Sequence, residues 1–249
     1  MQLKKEGIIV SADELEEKEA ELVGIILGDG HLNPLTYGVV ITCGRIDWGY
    51  IHTHIPNLIE AIFLKKPKFS YLNYSGFAIQ CILYSKDAFS YLKKTFNIPS
   101  GKRKNMKIPE RFFKDERLLK LCIRGMIDTD GGVYRHHVTS IQIVFYNSDL
   151  VLINSLKKAL NKLGYHPKLT REKRGRFHLD LFTEDSKKYY KEIGFSNPKN
   201  NIKFKQWLEN KRVPNNSEIK SEIARAEIRT RASALARQNT GHTADVMRV

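Results

Sequence analysis

The sequence predicts an α+β protein made of two copies of one half, each reading helix, strands, helix, strands, helix. Three observations predict it. The run Leu22-Val23-Gly24-Ile25-Ile26-Leu27-Gly28-Asp29-Gly30 returns as Ile123-Arg124-Gly125-Met126-Ile127-Asp128-Thr129-Asp130-Gly131. Later landmarks return at almost the same spacing: Pro67-Lys68 as Pro167-Lys168, Gly76 as Gly175, Asp87 as Asp185 and Tyr91 as Tyr189. The order of helix and strand signals is also the same in both stretches. A single repeat of this length is a duplicated domain rather than a solenoid. The expected halves are residues 10–100 and 109–205, with a basic linker at 101–108 and a C-terminal extension at 206–249.

Ser11-Ala12-Asp13-Glu14 reads as a capping box opening a helix that runs to Asp29. A turn at Asn33-Pro34 follows, then a β-rich run from Tyr37 to Thr42 and a helix from Trp48 to Lys65. Phe69–Tyr74 and Phe77–Tyr84 read as strands joined at Ser75-Gly76, and Lys86–Phe96 as a helix. The second half repeats this with strand signals over Val133–Tyr146, a helix over Asp149–Leu163, a hairpin over Lys168–Phe182 and a helix over Glu184–Ile193. Ile219, Ile223, Ile228, Ala232 and Leu235 can line one face of a short helix in the extension.

Within each motif run, small residues lie four apart: Gly24 and Gly28, then Gly125 and Thr129. That spacing places them on one helix face, where a second backbone can approach closely. Packing the two runs together brings Asp29 and Asp130 side by side. The arrangement is costly, because a helix C-terminus carries about half a negative charge and adjacent carboxylates repel. A divalent cation removes both objections, since hard oxygen ligands suit Mg²⁺ or Ca²⁺.

The remaining composition narrows the partner. Of the residues, 41% are hydrophobic and 28% charged, as in a globular chain, and no apolar run reaches the length of a membrane span. Gly7-Ile8-Ile9-Val10 is too short for a signal peptide. Cys43, Cys81 and Cys122 have no paired spacing, which suits a reducing compartment and argues against a zinc site. A net charge of +15 points to an anionic polymer such as nucleic acid. Residues 1–21 depart from that balance, with seven acids against three lysines. Most of these acids sit at the start of the first helix, about 25 Å from Asp29 at 1.5 Å per residue. Two segments carry concentrated positive charge. The linker Gly101-Lys102-Arg103-Lys104-Asn105-Met106-Lys107 is either solvated or in contact with phosphate. In the hairpin after Pro167, Lys168, Arg171, Lys173, Arg174 and Arg176 are expected to form a cationic strand face able to enter the major groove. Arg45 and Lys68 join them as candidate DNA contacts.

With both motifs, the duplication and the strand pattern in hand, the chain resembles the LAGLIDADG homing endonucleases of the single-chain, two-repeat kind, over about residues 11–205. Lys107-Ile108-Pro109 before the second motif also resembles the family's join between halves. The resemblance implies a monomer of two αββαββα halves, packed through their motif helices, with antiparallel sheets forming a saddle over double-stranded DNA. It implies that Asp29 and Asp130 hold Mg²⁺, which Mn²⁺ or Ca²⁺ can replace, with Gly28 and Thr129 beside them in the metal set. Each site would then cut one strand by metal-assisted hydrolysis. Family members often place Gln or Lys near the end of the strand run after each motif. Here the runs end at Cys43-Gly44-Arg45 and Phe145-Tyr146-Asn147, and Arg45 and Gln142 are weak substitutes. Asp128 has Leu27 as its counterpart, so no symmetric catalytic role is expected for it. His52, His54, His136 and His137 lack repeated counterparts and read as surface residues. The alternative is a non-cleaving protein of the same fold, an intron RNA maturase or a DNA-binding regulator.

Overall fold

The computed structural model describes residues 4–5, 8–9, 11–72, 78–173 and 175–221. The expected turn at Ser75-Gly76, Arg174 and the extension from Ile223 onward lie outside the described residues.

Helix α1 (Ala12–Asp29) starts at Ser11, whose side chain accepts from Glu14 N at 3.1 Å. Residues Lys86–Phe96 form α3, after α2 at Ile55–Phe63. Helix α4 (Glu116–Thr129) starts at Asp115, whose carboxylate accepts from Arg117 N and Leu118 N. Such caps are each worth about 1 kcal/mol. Each motif helix runs straight into a strand, β1 (Gly30–Asn33) after α1 and β5 (Gly131–Arg135) after α4. The motif glycines are there for space. Gly30 has extended backbone, φ −104° and ψ 167°, which any residue can adopt. A Cβ at Gly30 would lie 2.6 Å from Ile26 Cα, and one at Gly131 would lie 2.6 Å from the Ile127 carbonyl oxygen.

The first sheet is completed by β2 (Gly38–Gly44), β3 (Lys68–Leu72) and β4 (Ala78–Tyr84), the second by β6 (Ile141–Asn147), β7 (Lys168–Arg171) and β8 (Phe177–Leu181). Their orders are β1-β2-β4-β3 and β5-β6-β8-β7, antiparallel throughout. The duplication in sequence is thus a duplication in topology. Pro67 and Pro167 each precede the first residue of an edge strand, where a missing N–H costs least. The remaining helices are α5 (Leu150–Lys162) and α6 (Thr183–Glu192). On β4, Ile79, Cys81 and Leu83 are buried at alternate positions, leaving Gln80 and Tyr84 on the other face. No helix among the described residues is long and apolar enough to cross a membrane.

Three elements differ from the sequence reading. The strand β1 occupies residues expected to lead into a turn. The expected helix over Trp48–Lys65 is a π-turn (Tyr50–His54) and then α2, with a 3₁₀ turn (Arg45–Asp47) just before it. Pro56 has no N–H to donate, and its ring crowds the carbonyl four residues back, so the turn before it widens. A seventh helix, α7 (Pro198–Asn210), runs through the expected boundary at 205. Asn197 caps it and Pro198 opens its first turn. It packs on β5 and on the Arg45–Asp47 turn, touching both halves. The first compact unit comprises Met1–Val213 and the second Pro214–Val249. In the second, the Asn215 side chain accepts from Ser217 N and Glu218 N at the start of a helical turn.

The core between the halves is the contact of α1 with α4. A Cβ at Gly24 would collide with the Cys122 carbonyl, one at Gly28 with Thr129 Oγ1, and one at Gly125 with the Glu21 carbonyl, only 2.7 Å from Ile25 N. Backbone meets backbone here, as the four-residue spacing predicts. Glu21, on α1, is buried and accepts from Arg124 of α4 and from His54. Burial alone would push its carboxyl up, but those two hydrogen bonds hold it at about 2. His54 is therefore a cross-element partner rather than a plain surface residue.

Replacing Gly125 by Val should cost about 3 kcal/mol or more, because the obstructing atoms are main chain and cannot turn away. Gly49→Ala, whose Cβ meets nothing within 4 Å, should be neutral or stabilising. Urea unfolding of both variants checks the difference.

Candidate functional site

The helix contact delivers two acids to one place. Asp29 is the last residue of α1 and Asp130 caps α4, and the two carboxyl groups are close enough for each to act on the other's ionisation. Adjacent buried carboxylates favour the protonated form of one of them. Burial, and then the neighbouring Asp29 charge, push the Asp130 carboxyl up to about 8. Burial also raises Asp29, with Arg103 and Lys199 opposing and Asp47 adding.

Around this pair the halves are unequal. Asn147 Nδ2 donates to Asp130 Oδ2 at 2.7 Å. Gly131 pairs with Phe145, and Asn147 lies two positions further along β6. In the first half Gly30 pairs with Ile41, and two positions further along β2 stands Cys43, which is buried and whose thiol is pushed up by burial. Asp29 therefore has no amide in the equivalent place. Instead Asp47 lies nearby, with Lys199 Nζ 2.6 Å from its Oδ1 and Asn197 Nδ2 donating to the same oxygen at 2.7 Å.

Asn197 and Lys199 stand at the start of α7, which Asp128 fixes in place. The Asp128 carboxylate is buried and accepts from Ser196 N at 2.6 Å, Asn197 N at 3.0 Å and Asn200 Nδ2 at 3.0 Å. Burial raises it to about 7 against those bonds. Its role is to hold α7.

Arg103 reaches the site from the linker. Its Nη2 donates to the Leu27 carbonyl at 2.7 Å and to the Gly28 carbonyl, and lies 4.0 Å from Asp130 Oδ2. The linker is anchored on both sides of Arg103, with Gly101 N donating to the Leu32 carbonyl at 2.8 Å before it, and Met106 N to Asp149 and Ile108 N to Ser155 after it. A cavity of about 500 Å³ opens beside Asp130, with Arg103, Tyr146, Asn147, Arg176 and Lys199 among its lining residues.

The sequence-predicted residues divide accordingly. Asp29, Asp130, Gly28, Thr129 and Arg103 come together. Thr129 Oγ1 donates back to the Gly125 and Met126 carbonyls at 2.9 and 3.0 Å, and it packs on Gly28. Lys102 is exposed in the linker, Arg45 lies in the 3₁₀ turn, and Lys68 starts β3. The expected single cationic face of the hairpin is split. Lys168 pairs with Asp180 and Arg171 with Phe177, so they point to opposite faces. Arg171 shares the face of buried Leu179 and sits over the Phe177 ring at 5.8 Å. Lys173 is in the turn. Asn197, Lys199 and Asp47 were not expected at the site, and Asn147 was noted only as a strand end.

The oxygen set suits a hard divalent ion. Among the described residues no group of three or more His, Cys, Asp or Glu side chains is placed to hold a metal. Two carboxylates remain, together with the Leu27 and Gly28 carbonyls at the negative end of α1. Magnesium, which keeps several waters and takes one or two carboxylates plus substrate phosphate, fits such a set. The structure contains its own test of fit, since the Arg103 guanidinium is a cation seated on these oxygens.

The family profile described as LAGLIDADG-like domain matches residues 118–194. No curated protein sequence matches the chain. Among solved structures, mesophilic variants of the homing endonuclease I-DmoI align with TM-score 0.52 at 18% identity, over 72% of this chain and 96% of theirs. I-WcaI bound to its DNA recognition sequence aligns with TM-score 0.54 at 17% identity, over 75% of this chain and 85% of that one. Full-length DUF199/WhiA from Thermatoga maritima aligns with TM-score 0.54 at 17% identity, over 92% and 72%. At these identities the likeness is one of fold: two four-stranded antiparallel sheets joined through paired helices.

Folded Asp130 keeps its proton up to about pH 8, whereas the unfolded chain releases it near 3.8. Between those values the folded state binds the extra proton, so stability falls as pH rises and levels off above about 8. Asp130→Asn mimics the protonated acid and removes this decline. Thermal melts from pH 5 to 9 should show the wild type losing stability more steeply than the variant, with the variant the more stable form at pH 8.

Proposed function

We propose that this chain is a homing endonuclease of the LAGLIDADG type that cuts both strands of a long DNA site, a reading supported by the LAGLIDADG-like domain match over residues 118–194. The observation that carries this reading is the pairing of Asp29 with Asp130 at the ends of two helices in backbone contact. The fold alone does not carry it, because WhiA shares the fold. The acids give the reading its chemistry. Nothing in the packing of α1 on α4 requires carboxylates at this point, and placing two at helix C-termini opposes the dipoles.

Asp29 and Asp130 would hold the metal as two carboxylates, any proton between them passing to solvent. I-DmoI is described in complex with DNA and Mn, and a substituted form of it with its target DNA in the presence of Mg, which supports a divalent ion here. Held there, magnesium supplies Lewis acidity at phosphate and a lowered pKa for attacking water. Asn147 keeps the Asp130 carboxylate turned toward the cavity. Lys199 neutralises Asp47, so that a third acid does not repel phosphate. The open face of the second sheet presents Lys168, Thr170 and His178, which lie on the other side from Leu169 and Leu179. On the first sheet Lys68, Ser70, Gln80 and Thr42 occupy the corresponding face. Such side chains supply hydrogen bonds to base edges and phosphates. Both halves lie in one compact unit, so one chain supplies both acids, which supports action as a monomer.

Asp29→Asn or Asp130→Asn should abolish double-strand cutting while leaving DNA affinity within about tenfold, since each removes a metal ligand and adds no charge that would repel phosphate. Cleavage and binding titrations with and without Mg²⁺ check this. Full metal-dependent cutting by both variants would overturn the assignment.

Specificity gives a separate check. Arg176 lines the cavity, whereas Arg171 points to the helix side. Arg176→Ala should relax preference at one or a few base pairs, worth about 1–3 kcal/mol at a base-reading position. Arg171→Ala should leave the selected sequence unchanged. Site selection from a randomised duplex library measures both, and equal relaxation by both would contradict this assignment of the faces.

A further inference from the structure

Arg103 is the one linker cation that leaves its neighbours and enters the acid site. Lys102, Lys104 and Lys107 are exposed. The guanidinium of Arg103 touches the Leu27 and Gly28 carbonyls and lies 4.0 Å from Asp130 Oδ2, and its charge acts on both Asp29 and Asp130. These are the oxygens a divalent ion would need. The side chain remains about one-third exposed on the cavity side, so it has room to swing into the cavity. The linker main chain is held at Met106 and Ile108, which keeps the guanidinium within reach of the site after it leaves.

We propose that Arg103 is a tethered place-holder for the metal: it occupies the oxygen set in the free protein and must vacate it for a divalent ion to enter. The inference rests on reading the acid pair as the metal seat. Two cations cannot share one small set of oxygens, because their repulsion at about 4 Å is large even at an effective dielectric constant near 20. Metal affinity of the free protein is therefore low, and it rises when an anion offers Arg103 another partner. A DNA phosphate next to the cavity is such an anion, matched to the guanidinium fork. Metal loading is in this way coupled to DNA binding, and the coupling is reciprocal.

The test needs neither a target sequence nor cleavage. Tb³⁺ luminescence and Ca²⁺ calorimetry on the DNA-free full chain would compare wild type with Arg103→Gln, which keeps an amide donor for the two carbonyls but has no charge. The variant should bind both ions about tenfold more tightly, and Ca²⁺ should raise its melting temperature more than that of wild type. Lys104→Gln, which removes an exposed charge from the same linker, should change neither. Adding Asp130→Asn to Arg103→Gln should abolish the gain, which places the ion at the acid pair. Arg103→Met gives the same comparison if the Gln variant folds poorly. Equal or weaker metal binding by both Arg103 variants would overturn the proposal. So would a gain as large in Lys104→Gln, or no binding by any form at millimolar metal. A chain that never cuts DNA but shows the Arg103 gain would overturn the endonuclease reading and leave this inference standing.

Discussion

The structure depends on a contact in which two helices meet with almost no side chain between them. Gly24 and Gly28 on α1 face Cys122 and Thr129, and Gly125 on α4 faces the Glu21 and Ile25 main chain. Because the backbones touch, the helices can neither slide nor rotate without collision, and close-packed interfaces of this kind have discrete arrangements. This fixes where the two helices end relative to one another. It therefore fixes Asp29 against Asp130, and it also sets the first residues of β1 and β5, which leave the helices directly at Gly30 and Gly131. The buried Glu21, with its partly exposed partners Arg124 and His54, adds direction to the same contact, since an ion pair with one partner on each helix is satisfied in one register only.

Duplication explains the topology but not the chemistry. The two sheets have the same strand order and the same pairing at each motif glycine, yet the residue two positions beyond that pairing is Asn147 in one half and buried Cys43 in the other. Asp128 and Leu27 diverge in the same way. Asp128 has become the anchor of α7, a helix for which the first half has no equivalent between α3 and the linker. That helix then returns Asn197 and Lys199 to the first half at Asp47. The asymmetry of the site is thus the consequence of one added helix and the acid that holds it.

Much of this was legible in the sequence where the signal is local. The Ser11 cap, the four-residue spacing of small residues and the prolines before β3 and β7 each correspond to a short-range physical cause. The run of basic residues misassigns the face of Arg171, although Leu169, two residues away, marks that side of the strand as the helix side. A one-residue error in such an assignment moves every side chain to the opposite face. Asn197-Pro198 likewise carries the signature of a cap followed by a first-turn proline, which marks α7. The convergence of Asp47, Lys199 and Arg103 on the acid pair was not legible. These residues are brought together by packing between segments far apart in the chain, and no spacing rule encodes such a meeting.

The local charge count shows why the acid pair can persist in the folded chain. Asp29, Asp130 and Asp47 are met by Arg103 and Lys199, and burial together with the Asp29 charge favours the protonated form of Asp130. Three acids, two cations and one proton leave the cluster close to neutral. The site therefore neither repels an approaching phosphate nor opposes the field of a chain carrying +15. On the proposal that Arg103 holds the metal's place, a divalent ion would take over the charge of one proton and one guanidinium, so its two positive charges would replace two that were already there. Seen in this way, the free site is electrostatically closed, and loading it exchanges one balanced set of charges for another.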